Sequence, residues 1–333
     1  MSFHISVCIP VFNSEGTLLR ALDSVAAQEY DSFEVIIVND GSKGKDHDGR
    51  NCSKIVKQFL KTHKNLKKQI VYREHRTNLG LLEARRTAVM AATGDFILLL
   101  DSDDLLLPGC LDVLYKTAVS TGADIVQGSV KVTSSDEQNA QADPLVQKRV
   151  ASMEKNANSV FSGELTGKQV FDGFLVKKNH CGFLWAKLIR RTVYEKALSV
   201  IPFSRCVFAE DFLQYFFITY FAQKYAGISQ SVYNYTVDTG ISSFKQIDSI
   251  ERWEQVCVTA NVFTIIFSII KEFPENEFST EQLEALRYFS RSYLANNIKQ
   301  LNESVIPLLK DQAYDLLCEY WGKEYVEFIS SKM

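Results

Sequence analysis

The sequence predicts an α/β fold, a mostly parallel open sheet flanked by helices, followed by a helical C-terminal region. Three observations lead there. Short runs that are apolar or nearly so (HISVCIPV at 4–11, FEVIIV at 33–38, FILLL at 96–100) alternate with longer stretches of helical periodicity. Strands without a polar face belong in the middle of a sheet covered on both sides. Each run ends in a polar, turn-forming cluster, and from Ile247 onward the pattern is helical throughout.

Taken in order, residues 4–11 form the first strand, ended by Pro10 and Phe12-Asn13. Residues 14–29 follow as a helix with Leu18, Leu19, Leu22 and Val25 on one face. The second strand, 33–38, ends in Asn39-Asp40-Gly41-Ser42, and a polar loop leads to a helix over 52–63. Residues 70–73 supply a short third strand. The stretch NLGLLEARRTAVMAATGDFILLLDSDD at 78–104 then gives a turn at Asn78 and Gly80, a helix over 81–92, a break at Thr93-Gly94-Asp95 and a fourth strand. Gly94 reads there as the glycine just past a helix end. After a helix over 108–122 comes a strand at 124–132. Residues 133–158 are polar and poor in aromatics and read as a mobile flap or a locally disordered insertion. An aromatic-basic segment at 182–191, an aromatic helix within 207–222 and a final strand at 225–235 complete the sheet region.

In open α/β sheets ligands bind beyond the carboxyl ends of the strands. Those ends carry residues 10–13, 40–42 and 101–103 here. Three carboxylates in four residues, Asp101, Asp103 and Asp104, repel one another in a partly dry cleft, and a divalent cation relieves that repulsion. Residues i and i+2 of extended chain point the same way, so Asp101 and Asp103 can converge on one hard ion such as magnesium or manganese. Capping the following helix is the alternative, but a cap needs one aspartate and not three.

At 333 residues, with 46% hydrophobic and 23% charged residues, the composition is that of an ordinary folded soluble protein. A net charge of −3 gives no electrostatic case for nucleic acid. Seven scattered cysteines without a CxxC pair read as reduced thiols rather than a disulfide framework or zinc site. The run 6–12 is too short for a secretory leader. The longest apolar run, 262–270, falls below spanning length, so the chain is expected not to cross a membrane. The five histidines show no HExxH pairing, and no GxGxxG follows the first strand, which sets a dinucleotide-binding dehydrogenase aside.

Together SVCIPVFN at 6–13, VNDGS at 38–42, the 78–104 stretch and AED at 209–211 resemble a family 2 glycosyltransferase of the inverting, nucleotide-diphospho-sugar-dependent kind. The resemblance implies the Rossmann-like GT-A fold over residues 1–240: a nucleotide-sugar-binding half at 1–132, a flexible insertion at 133–158 and an acceptor half at 159–240. Residues 241–333 form the helical region. It also implies Mn2+ or Mg2+ as cofactor and a UDP-sugar as donor.

Carried over position by position, Pro10, Val11 and Asn13 would line the nucleotide pocket, with Ser42, Asn78, Gly80 and Ser102 beside them. Asp40 matches the residue that accepts a hydrogen bond from uracil, since an acceptor-only carboxylate reads the imide N–H. Arg85 matches a donor-facing position. Asp101 would contact ribose or sugar, and Asp103, with Asp101, would hold the metal. The Glu210-Asp211 pair matches the catalytic base motif, Asp211 being the base; as plain chemistry the pair would also open a helix. The loop after the last strand lacks the family's frequent Arg or His, which leaves Ser242 as a candidate diphosphate donor. Arg252-Trp253 resembles the end of a processive-synthase motif, but Ser249 stands where Gln is needed, so Trp253 reads as core.

The implied activity is that of a metal-dependent hexosyl- or N-acetylhexosaminyltransferase of the EC 2.4 type. It would act on a glycan or lipid-linked acceptor in bacterial surface polysaccharide biosynthesis, in the cytoplasm at the inner face of the membrane. The alternative is a non-catalytic nucleotide-sugar-binding protein of the same fold. The C-terminal helices, amphipathic at Leu283, Leu286, Phe289 and Tyr293, read first as core. Acceptor binding, peripheral membrane association and homo-oligomer formation are the other roles open to them.

Overall fold

The computed structural model describes residues 4–135, 143–237 and 246–333. Its centre is a nine-stranded sheet in the order β3-β2-β1-β4-β8-β6-β9-β5, with β7 pairing β9. Strands β1 (Ile5–Val11), β2 (Phe33–Asn39), β3 (Ile70–Glu74) and β4 (Phe96–Leu99) are mutually parallel. They are linked by helices α1 (Glu15–Ala26), α2 (Cys52–Thr62) and α3 (Leu81–Ala91). Both faces of β1, β2 and β4 are covered, while β3 at the edge is partly exposed. Ile5, Val7, Ile9 and Val11 of β1 enter the cluster under α1 and α2, while Cys8 enters the cluster under α3. The same period-two split sends Phe96 and Leu98 of β4 one way and Ile97 and Leu99 the other.

The second half of the sheet is mixed. After β5 (Leu105–Leu106) and α4 (Cys110–Thr121), strand β6 (Ile125–Ser134) runs parallel to the long β9 (Lys224–Val237). Strand β8 (Lys187–Arg190), drawn from the aromatic-basic segment, inserts antiparallel between β4 and β6. The acidic loop does not cap α4: that cap is Gly109, with no side-chain hydrogen bond.

Two readings of the sequence need correction. Residues within 133–158 are not a flexible flap throughout, because β6 reaches Ser134 and helix α5 spans Pro144–Ala157. Asp143 caps α5 through Leu145 N at 2.8 Å, Pro144 opens it, and Ala157 is buried against the sheet. Gly94 is not a left-handed helix end. It sits where a Cβ would come within 2.7 Å of Ser6 Oγ and 2.9 Å of Ile5 C, so only glycine lets this turn reach β1. The buried Glu34 pins the turn by accepting from Thr93 N at 2.6 Å and Ser6 Oγ at 2.7 Å. Residues 250–270 form a 21-residue helical run whose most apolar 18-residue window has a mean hydropathy of 1.5, long and apolar enough by composition to cross a membrane, yet 44% of that window is buried in the protein and Val262, Phe263 and Ile266 belong to its core.

Strand β7 (Gly163–Thr166), α6 (Lys168–Leu175) and α7 (Arg191–Val200) lead to α8 (Glu210–Phe221). The C-terminal helices are α9 (Ile250–Cys257), α10 (Thr259–Ile270), α11 (Thr280–Glu303), α12 (Lys310–Trp321) and α13 (Lys323–Ser330). They do not stand apart from the sheet region. Val262, Phe263, Ile266 and Leu286 share one core with Phe212, Phe216 and Tyr215 of α8. A smaller cluster forms around Trp253, which is fully buried and donates its indole N–H to Ala313 O at 2.7 Å.

Candidate active site

Beyond the carboxyl ends of β1, β2 and β4 lies a cavity of about 1090 Å³. Of the residues predicted from the sequence, Pro10, Val11, Asn13, Asp40, Asn78 and Gly80 line it on the β1–β2 side. Arg85, Asp101, Ser102 and Asp103 line its floor, and Glu210 with Asp211 enter from the start of α8. Ser42 does not line it; its hydroxyl accepts from Asn13 N at 2.8 Å and so shapes the loop behind. Ser242 lies outside the described residues.

Helix α3 delivers Arg85 to the centre of this group. Its side chain is almost fully buried, and burying an unpaired charge is costly. The guanidinium finds three carboxylates: Asp101 at 3.2 Å, Glu210 at 3.4 Å, and Asp211, the shortest contact of the three. One cation among three anions leaves an excess of negative charge. Burial, with the charge of Asp211 adding to it, pushes the Glu210 carboxyl up to about 8. Burial also raises Asp101 to about 6, Arg85 opposing the rise and Asp103 adding to it. Asp104 points away from the cavity and does structural work: its carboxylate accepts from Tyr233 OH at 2.9 Å and Thr236 N at 2.7 Å. The Tyr233 hydroxyl in turn accepts from Asp101 N at 3.1 Å, which fixes the acidic loop to β9. Ser14 and Ser102 hydroxyls meet at 2.5 Å and tie that loop to the end of β1.

The acidic loop after β4, the buried arginine and the helix-opening acidic pair that face this cavity all fall within one stretch, residues 6–216, that matches a known family. The profile of the family described as "Glycosyl transferase family 2" matches residues 6–216. The chain belongs to this family. Glycosyltransferase GlyA of Streptococcus pneumoniae is 36% identical over 125 residues, 38% of this chain and 16% of GlyA. A poly(ribitol-phosphate) beta-glucosyltransferase of Bacillus spizizenii is 33% identical over 130 residues, 38% of this chain and 19% of that protein. The matched stretch is thus less than a fifth of either relative. Among solved structures, residues 1–349 of S. aureus TarS in complex with UDP superpose with a TM-score of 0.63 at 19% identity, covering 98% of this chain and 83% of that one. At that identity the likeness is one of fold, and it identifies the α/β sheet with its helical C-terminal region as GT-A-like.

The cavity offers a donor set suited to a divalent cation. Asp101 and Asp103 both open onto the cavity, and the repulsion that Asp103 adds to the burial of Asp101 is one that a cation would offset. Magnesium and manganese are commonly held by one or two carboxylates together with substrate phosphates, so two aspartates suffice. A second acidic group, Asp46, His47 and Asp48, places three ligand atoms within 4.8 Å of one another. It lies outside the cavity, and Arg50 already engages Asp46 at 2.7 Å and Asp48 at 2.8 Å.

Asp40 stands where expected, yet its carboxylate is already saturated. Oδ1 accepts from His75 Nδ1 at 2.7 Å and Leu79 N at 2.8 Å; Oδ2 accepts from Asn78 Nδ2 and Gly80 N, both at 2.9 Å. A carboxylate has about four lone-pair sites, which leaves none for a uracil imide. In this arrangement Asp40 organises the turn into α3, where Gly80 holds a φ of +96°.

Strain gathers at the same cavity. Ala209, just before Glu210, has a φ of +61°, and Asn13 and Lys178 also hold positive φ; all three line the cavity. Non-glycine residues in that region cost about 1–3 kcal/mol and persist where surrounding structure demands them. Sequence reasoning missed the contribution of the C-terminal helices: Gln255, Phe289 and Tyr293 line the cavity too. The amphipathic spacing of α11 was a signal for burial but could not say against what. Trp185, 3% exposed, also lines the cavity, its ring stacked on Phe183 at 4.5 Å, Tyr233 at 5.3 Å and Tyr235 at 5.2 Å. His180, buried beside the cavity, donates Nε2–H to Val170 O at 3.1 Å and accepts from Tyr215 OH at 2.9 Å; burial pulls its pKa down to about 3, so it is neutral scaffold.

Proposed function

We propose that the transferase moves a sugar from a UDP-sugar to a hydroxyl of a glycan or lipid-linked acceptor, with inversion and with Mn2+ or Mg2+, in the building of a bacterial surface polysaccharide. The observation that carries this reading is that carboxylates from two separate elements, the loop after β4 and the start of α8, face one cavity and share Arg85. A divalent cation held by Asp101 and Asp103 would offset the charge of the departing diphosphate.

Asp211 is the proton acceptor. A sugar hydroxyl is too weak an acid for a carboxylate to deprotonate outright, so the proton moves as the new bond forms. Asp211 suits this because its side chain is 20% exposed toward the cavity, against 10% for Glu210. Arg85 and Leu184 N, 3.4 Å from Oδ2, hold the carboxylate in place. Glu210, raised to about 8, keeps its proton at neutral pH and limits the negative charge around Arg85. Inversion follows if the acceptor approaches from the Asp211 side while the diphosphate departs from the Asp101 side. Seven free cysteines support a cytoplasmic setting, and the poly(ribitol-phosphate) relative supports a surface-polymer acceptor.

The test is a thermal-shift panel of nucleotide diphospho-sugars with and without manganese, since selective binding raises the melting temperature by mass action. Product analysis on the best donor then follows. A UDP-sugar should stand out, and more strongly with metal. Equal, metal-independent responses across the panel would sink the reading.

A further inference from the structure

The C-terminal helices α10, α11, α12 and α13 line a second cavity, of about 530 Å³, that shares no lining residue with the first. Its size falls within the range of small-molecule sites. Lys271, Arg287 and Arg291 line it, and no aspartate or glutamate does. The two arginines share one carboxylate, Glu284, at 2.5 and 3.8 Å, and all three of these groups are about half exposed. Such pairs are weak and yield readily to a better anion. Lys271 is exposed and makes no ion pair among the described residues. Beside the cations stand Phe267 and Trp321, the latter half-buried, with its indole N–H held by Asn297 Oδ1 at 3.1 Å.

We infer that this cavity binds a phosphate-bearing saccharide. Three cations against the one shared carboxylate of Glu284 leave a positive excess that selects an anion, and the ring faces give the apolar side of a sugar something to pack against. The site is also mechanically tied to the first. On α11, Arg287 and Arg291 point to the second cavity, while Phe289 and Tyr293, two residues on and so about 200° round the helix, line the first. Phe263 lines the second cavity and packs on Phe212 and Tyr293 of the first at 5.6 and 5.4 Å. A saccharide held here would therefore lie one helix away from the transfer site.

The experiment titrates the full chain with glucose 6-phosphate, glucose and inorganic phosphate, following tryptophan fluorescence. Of the three tryptophans, Trp185 and Trp253 are buried, so Trp321 is the responsive reporter. Glucose 6-phosphate should bind at least tenfold more tightly than either fragment. The double variant Lys271→Ala/Arg291→Ala should lose that margin, while its thermal shift with UDP matches the parent protein. Phosphate alone binding as well as the sugar phosphate overturns the saccharide assignment, as does an unchanged titration in the double variant. Co-sedimentation with phosphatidylglycerol vesicles, without any response to the sugar phosphate, overturns it in favour of a lipid surface. Because binding is read without transfer, failure of the UDP-sugar reading would leave this result standing, and the reverse.

Discussion

Arg85 contacts Asp101 through one guanidinium nitrogen at 3.2 Å and Asp211 through another, so a single buried cation spans the acidic loop after β4 and the start of α8. The two aspartates come from elements far apart in the chain and have no reason to approach each other without it. Like charges at such separation repel, and Arg85 converts that repulsion into a fixed geometry. Its own cost of burial is offset only while the carboxylates are present.

Arg85→Ala should therefore destabilise the protein by about 3 kcal/mol or more, the usual loss when one member of a buried ion pair is removed. Urea unfolding measures it. Manganese should recover part of the loss, because a cation at Asp101 can replace some of the missing charge. A variant as stable as the parent, or one indifferent to manganese, would show that Arg85 is not the counter-ion of this site.

Asp211→Asn should keep donor binding and lose transfer by about 10²–10⁴-fold, the contribution typical of a positioned proton acceptor. Glu210→Gln should be far milder, since the side chain it replaces already carries a proton near neutral pH. Single-turnover rates at saturating donor separate the two. The reverse order would transfer the role of base to Glu210.

The sheet was legible because parallel strands buried on both faces leave a distinctive record: runs that are apolar or nearly so, such as 33–38 and 96–99, each split between two cores. The acidic loop was legible because repelling carboxylates in sequence need an explanation. What the sequence could not convey was pairing at long range. Arg85 meets partners 16, 125 and 126 residues away, and nothing local distinguishes it from Arg86, which instead binds the carbonyls of Leu198 and Ile201. Helix α5 was missed for a different reason. Its Asp143-Pro144 start is a sound helix signal, but the polar composition around it read as disorder.

The raised Glu210 carboxyl sets a pH window. Its folded value of about 8 lies above the ordinary 4.5, so the native state binds the extra proton and stability falls as pH rises toward 8. His180 acts oppositely, but only between about 3 and 6.5. Comparing parent and Glu210→Gln cancels it. The melting temperature of the variant should gain on the parent steadily between pH 6.5 and 8. A constant difference across that range would mean Glu210 titrates normally. For Asp101, raised to about 6, protonation removes a metal ligand, so manganese-dependent donor binding should weaken as pH drops through 6.

Asp40→Asn separates two roles for one residue. If Asp40 organises the turn, the amide replaces one acceptor oxygen with a donor facing the N–H groups of residues 78–80. Losing charge-assisted bonds of this kind costs about 2 kcal/mol, and the start of α3, which carries Arg85, should loosen. UDP and CDP would then both bind more weakly, by the same factor. If instead the carboxylate turns to read uracil when donor binds, the variant should change the ratio of UDP to CDP affinity by tenfold or more, because an amide can present its donor to the acceptor edge of cytosine. Calorimetric titration of both nucleotides into both proteins decides, and the four protein donors already on Asp40 make the unchanged ratio the expected outcome.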